Sequence, residues 1–187
     1  MQVMGFKSAE DFRKWLEKNH TRSEGIWLRF FKKGSGKTSV TRAEALDQAL
    51  CFGWIDGQGK PGDELSWLQK FTPRRSRSGW SKINTQHVKR LTKAGMMAAA
   101  GLEAVKAAKE DGRWKGAYAS PRNANPPEDF LERLGRNKKA KAFFETLNRA
   151  NIYSIVYRLQ TAKKLETRER RMKVILEMMA EGKKFHP

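Results

Sequence analysis

The chain has 187 residues, with 39 Lys and Arg against 20 Asp and Glu and a formal charge of +19. That length holds one large domain or two small ones, with room for a core. A single cysteine, Cys51, excludes an internal disulfide framework, and with three scattered histidines (His20, His87 and His186) it spells no zinc pattern, so neither metal nor cofactor is expected.

No apolar run approaches the roughly 20 residues needed to span a bilayer. The opening MQVMGFKSAEDF has early acids and lacks the apolar core of a signal peptide. The expectation is a cytoplasmic protein. Its charge draws in polyanions, whether nucleic acid, an anionic membrane surface or an acidic protein, without choosing among them.

In chain order, Ser8-Ala-Glu-Asp11 resembles a capping box, and Phe12, Trp15 and Leu16 follow at helical spacing up to about Asn19. Gly25 opens a strand in which Ile26, Leu28 and Phe30 share one face, with Trp27, Arg29 and Phe31 on the other. The loop that follows contains GSGKTS, which imitates the end of a phosphate-binding P-loop. The first glycine of that motif would fall at position 31, which is Phe31, and the next helix starts better at the capping box Thr41-Arg-Ala-Glu44. A glycine-rich turn is the better account.

From Thr41 a helix carries Ala45, Leu46, Ala49 and Leu50 on one face and ends at Gly53. Cys51 follows on its apolar side, the setting of a buried, inert thiol. Trp54-Ile55-Asp56-Gly57 reads as a short strand or turn, and residues 58–63 as a flexible, glycine-rich excursion. A strand over 66–72 is stopped by Pro73. A basic loop, 74–81, leads into a helix through Val88 and Leu91 that ends at Gly95. A further helix over 97–109 places Leu102 and Val105 inward, with Ala98, Ala99, Ala100 and Gly101 permitting close packing.

The run 120–127, with three prolines and two asparagines, is the best linker in the chain. The expected organisation is therefore an α+β domain over 1–120, a linker over 121–127 and a helical domain over 128–187. The N-terminal part is a small antiparallel sheet with helices; the C-terminal part is a bundle. Its helices are marked by Phe130, Leu131 and Leu134; by Phe143, Phe144 and Leu147; by Ile152, Ile155, Val156 and Leu159; and by Met172, Ile175, Leu176 and Met179.

Four pieces, WLRFFKKGSGKTSVTRAEALDQALCFGWIDG, FTPRRSRSGWSKIN, AAKEDGRW and YRLQTAKKLETRERR, span almost the whole chain. Together they resemble the YdeI/OmpD-associated family, the bacteriocin-protection proteins. The resemblance implies a cytoplasmic bacterial protein with an α+β N-terminal domain, a helical C-terminal domain and a part in stress tolerance. It supplies no catalytic residues.

Three chemistries remain open. The first is nucleic-acid or other polyanion binding. No acid lies between Glu64 and Glu103, whereas Arg74, Arg75, Arg77, Lys82, Lys89, Arg90 and Lys93 all fall there. Ser78 adds a hydroxyl, and Trp80 offers a face for a base or a guanidinium. A second basic face recurs at Arg158, Lys163, Lys164, Arg168, Arg170, Arg171 and Lys173. The second is a small-molecule pocket or enzyme in which Asp56 pairs with Arg74 or Arg75 beside Trp54 and Trp80. Such an ion pair anchors more readily than it transfers protons, and no local acid–base pair is marked. The third is an acidic protein partner or the inner membrane surface, met by the last basic helix. The first is the preferred expectation, with no catalysis.

Overall fold

The structure is a computed structural model that describes residues 1–119 and 124–187, so part of the expected linker at 121–127 lies outside the described residues. The fold is α+β, with eight helices and one four-stranded sheet among the described residues. The elements run β1 (Val3–Met4), α1 (Ala9–Asn19), β2 (Ile26–Phe31), α2 (Arg42–Cys51), β3 (Trp54–Pro61), β4 (Ser66–Pro73), α3 (Lys82–Lys93), α4 (Ala99–Glu110), α5 (Glu128–Gly135), α6 (Lys138–Glu145), α7 (Arg149–Gln160) and α8 (Leu165–Ala180). The chain divides into two compact units. One comprises Met1–Gly79 with Asn84–Lys115, the other Trp80–Ile83 with Gly116–Pro187.

In the first unit the sheet order is β1-β2-β4-β3. β4 pairs antiparallel with both β2 and β3, and the two-residue β1 adds a parallel edge to β2, making the sheet mixed. Alternation along β2 buries Ile26, Leu28 and Phe30 and leaves Trp27, Arg29 and Phe31 half-buried on the opposite face. Phe12 and Leu16 of α1 are fully buried with Phe71 of β4, and Phe12 meets Phe71 edge to face at 5.8 Å between ring centres. Trp54 is buried, donates its indole N–H to the His20 carbonyl at 3.1 Å and meets Trp15 edge-on.

Local signals set the helix starts. Ser8 Oγ accepts from the Asp11 amide at 3.1 Å, and its reciprocal bond runs from hydroxyl to carboxylate rather than from the backbone. Thr41 and Glu44 form a full capping box, so α2 begins where the sequence places it and the GSGKTS stretch stays a loop. Gly53, at φ +71°, turns the chain out of α2 into β3.

Two expectations are corrected here. Residues 58–61, read as part of a flexible excursion, belong to β3, because β4 supplies backbone partners for Gly59, Lys60 and Pro61. A bulge between Asp56 and Gly59 absorbs one extra residue, and the buried Gln69 side chain donates to the Gly57 carbonyl there. The strand is an exposed edge, which is why it lacks the apolar alternation of a half-buried one. Leu102, expected inward, is 46 % exposed, and α4 instead buries Gly101, Val105 and Ala108.

Gly101 explains that rotation. A Cβ built there would stand 2.2 Å from the Cys51 carbonyl oxygen and 2.9 Å from that of Leu50, so α4 meets the end of α2 backbone to backbone.

The second unit packs Phe130, Leu134, Ile155, Leu159, Met172, Ile175 and Met179 into one core from α5, α7 and α8, with Ala140 from α6. Two forked ion pairs tie α5 to α8: Arg168 to Asp129 at 2.5 and 2.8 Å, and Arg133 to Glu169 at 2.6 and 3.2 Å. Hydrogen bonds from Arg168, reinforced by its charge, hold the Asp129 carboxyl below its usual range despite some burial.

Gly101→Ala is expected to destabilise the protein by about 2 kcal/mol or more through overpacking against rigid backbone, read as a lowered urea midpoint with an unchanged slope. The depressed Asp129 pKa means that the unfolded chain binds this proton more readily than the native one. Its contribution is complete above the unfolded carboxylate range, roughly pH 4, and is lost as pH falls through the native value. Asp129→Asn should therefore show a smaller drop in Tm between pH 6 and pH 3 than the native sequence; an equal drop would deny the pair any part in acid sensitivity.

Candidate functional site

The basic loop begins where β4 ends. The Arg74 amide donates to the Gly53 carbonyl at 2.9 Å, and a turn then closes from the Ser78 amide to the Arg75 carbonyl at 2.9 Å. Two guanidinium groups hold the loop in shape. Arg74 Nη2 donates to the Gly79 carbonyl at 2.6 Å, and Arg113 Nη1 donates to the Ser78 carbonyl at 2.9 Å. Arg113 is itself oriented by Asp111, whose carboxylate accepts from its Nε at 2.6 Å, and its side chain is only 8 % exposed.

These contacts divide the cations of the loop. Arg74 braces its own loop, whereas Arg75 and Arg77 are exposed and their guanidinium groups make no hydrogen bond or ion pair among the described residues. Ser78 contributes its carbonyl to the brace and is half-buried. On α3, Thr85, Val88 and Leu91 are buried, while Lys82, Gln86, Lys89, Arg90 and Lys93 are exposed along the other side, as the sequence spacing predicts. Lys82 falls in the second unit; Lys89, Arg90 and Lys93 fall in the first.

The aromatic part of the expected site is corrected. Trp80 is 1 % exposed, so neither indole face is open to a base, and Trp54 is equally buried. An indole is largely apolar, and core packing outweighs its use as a platform here. The expected pairing of Asp56 with Arg74 or Arg75 is also corrected: its partner is Arg42 at 2.5 Å. The capped start of α2 places Arg42 beside the start of β3, and Arg74 Nη2 is already bound to the Gly79 carbonyl. The pocket sketched around Asp56, Arg74, Arg75, Trp54 and Trp80 is therefore not assembled.

One constellation escaped the sequence reading. Asp47 of α2 accepts from Arg90 Nη2 at 2.5 Å and lies 2.7 Å from His87 Nδ1, so one carboxylate joins α2 to two positions a helical turn apart on α3. Forty residues separate the partners, and the only local hint is that His87 and Arg90 share a helix face at spacing i, i+3. Arg90 thus has a structural tie as well as its exposed position. A carboxylate behind an imidazole is the orienting half of a nucleophile-activating pair. The protein's one thiol offers no nucleophile for it, since Cys51 is buried and burial pushes its pKa up.

Among the described residues no group of three or more His, Cys, Asp or Glu side chains is placed to hold a metal ion, and no helix is long and apolar enough to cross a membrane. The loop over 32–39 lines a shallow hollow, but its lysines are partly engaged: Lys32 Nζ donates to the Glu64 carbonyl at 3.0 Å, and Lys37 lies over the Phe31 ring.

Arg113→Ala is expected to release the loop at the cost of about 2 kcal/mol, the worth of a charge-assisted bond to a half-buried carbonyl. Trypsin should then cut faster after Arg75 or Arg77 under native conditions, and an unchanged cutting rate would mean that the turn holds without this brace.

Neither a curated protein nor a solved structure matches the chain. Two family models do. Residues 123–182 match the family described as bacteriocin-protection, YdeI or OmpD-associated, which bears out the resemblance in the helical region. Residues 4–104, which hold all of the sheet but Val3, the arginine loop and the Asp47 cluster, match a domain of unknown function, DUF8412. With that match over more than half its length, the chain belongs to the DUF8412 family, and it carries a YdeI/OmpD-associated domain behind it.

Proposed function

We propose that the chain is a non-catalytic, cytoplasmic protein of the bacteriocin-protection or stress-tolerance type that binds nucleic acid or another polyanion through the 74–79 loop and the exposed side of α3. One observation carries this reading. Arg75, Arg77, Lys89 and Lys93 are exposed without a carboxylate partner among the described residues, in a stretch with no acid from 65 to 102. Two further guanidinium groups are spent on holding the loop that displays Arg75 and Arg77. A loop so braced presents its cations at little further ordering cost on binding.

Burial of Trp80 removes base stacking from this reading, which leaves phosphate contacts that carry no sequence information. Affinity should then be of the non-specific kind, with dissociation constants on the order of 10⁻⁴ to 10⁻⁶ M at physiological salt and a linear fall of log affinity with log salt.

The test is fluorescence anisotropy of labelled single- and double-stranded DNA and RNA across a salt series. Arg75→Ala/Arg77→Ala should lower affinity for all of them alike and reduce the salt slope by about 1.4 to 1.8 for two lost phosphate contacts. Arg74 is left in place because it braces the loop. A control double variant at exposed cations on another part of the first unit, Lys7→Ala/Lys18→Ala, should change the slope far less. Equal losses in the two variants would reduce the effect to diffuse charge, and binding only to an acidic protein would replace the nucleic-acid reading.

A further inference from the structure

We propose that the hollow between α7, α8 and the C-terminal tail binds a small amphipathic anion, one carboxylate or phosphate group on an apolar body. This site lies wholly within the second unit and is independent of the polyanion surface proposed for the first. Its volume is about 500 Å³, within the size range of small-ligand pockets.

Its apolar lining comes from Tyr157, Val174, Ile175 and Phe185. Tyr157 is 39 % exposed and Val174 49 % exposed, so two of the chain's larger exposed apolar side chains fall in one hollow. Three arginines complete the lining: Arg158, Arg170 and Arg171.

None of the three is paired with a carboxylate among the described residues. Arg158 Nη1 donates to the Ser154 carbonyl at 3.1 Å, and its guanidinium lies 3.9 Å from the centre of the Phe185 ring. Arg171 Nη1 donates to the Arg158 carbonyl at 2.7 Å and to Thr161 Oγ1 at 3.4 Å. Both are aimed by neutral acceptors, which fix direction and leave the positive charge uncompensated. Arg170 is exposed, and its side chain makes no hydrogen bond or ion pair among the described residues. The contrast with the same helix is direct, since the adjacent Arg168 and Glu169 are each committed to an ion pair with α5. Uncompensated guanidinium forks around an apolar wall match a carboxylate or phosphate carried on an apolar group. A bare polyphosphate would leave that wall unused.

The wall is also prearranged. Asn151 is 1 % exposed, and its Oδ1 accepts from the amides of Phe185 and His186, both at 2.9 Å. Its Nδ2 donates to Asn148 Oδ1 at 2.9 Å and to the His186 carbonyl at 3.3 Å, so the buried amide is fully used. Ser154 Oγ lies 2.7 Å from His186 Nε2. These bonds fasten the tail and fix Phe185 under Arg158, so a ligand meets a formed site.

The experiment is a nuclear magnetic resonance titration of the full chain with octanoate, with octylamine as the cation of matched length and inorganic phosphate as the anion without an apolar body. Octanoate should shift resonances of Tyr157, Val174 and Phe185 saturably, and the other two probes should bind at least tenfold more weakly. Arg170→Gln and Val174→Asp, both at exposed positions free of structural bonds, should each weaken octanoate about tenfold, the scale of one charge-assisted contact. Arg75→Ala/Arg77→Ala should leave octanoate binding unchanged, which separates this site from the polyanion surface. Equal binding of octylamine, phosphate as tight as octanoate, shifts that map elsewhere, no effect of either variant, or a poly-glutamate peptide that occupies the hollow more tightly than octanoate would each overturn the proposal.

Discussion

The backbone ladder of β4 is the constraint on which the first unit depends. It is hydrogen-bonded on both edges, to β2 and to β3, and its register sets Phe71, Gln69 and Trp67 opposite Ile26, Leu28 and Phe30, with Ser66, Leu68 and Lys70 on the other face. A slip of one residue would exchange those faces and remove Phe71 from Phe12, so the pairing register is also the packing register. The same strand delivers the arginine loop. Its last rung is the Arg74 amide on the Gly53 carbonyl, and the arginine turn starts from that anchored point.

With so large an excess of cations, the instructive division is between those that the fold consumes and those that it leaves. Arg42, Arg90 and Arg168 go to Asp56, Asp47 and Asp129, and Arg74 and Arg113 go to loop carbonyls. Each consumed guanidinium fixes a geometry, and each residual one contributes to the field. Exposed pairs of this kind add modest stability, about 1 kcal/mol or less each, so their larger effect is on position. The two residual clusters differ in kind. Arg75 and Arg77 stand on a polar loop, whereas Arg158, Arg170 and Arg171 stand around apolar side chains. The first suits a chain of phosphates and the second an anion with a body.

Much of the architecture was legible because its causes are local. Caps at Ser8 and Thr41, the alternation of β2, the glycine stop at Gly53 and the apolar spacing of α7 and α8 each lie within a few residues of their effect. The misreadings share one cause, a partner distant in the chain. β3 was hidden past Gly57 because an edge strand needs only a neighbour's backbone, not an apolar pattern of its own. Leu102 faces out because Gly101 must meet the Cys51 carbonyl. The site was legible in the same partial way: the exposed cations of α3 follow from helical period, but nothing near Asp47 announces His87.

The sequence by itself determined the α+β class, the run of helices after residue 127, the basic stretch free of acid and the order in which these occur. Helical and strand periods, capping chemistry and charge are properties of neighbouring residues, and they survive without knowledge of the fold. Tertiary structure alone decided that Trp80 and Trp54 are core, that Asp56 belongs to Arg42, that Arg74 is a brace and that three arginines near the end of the chain have no carboxylate partner among the described residues. Those outcomes depend on which groups meet across tens of residues. Burial and ion pairing fall off within a few ångströms, so only the folded positions assign them.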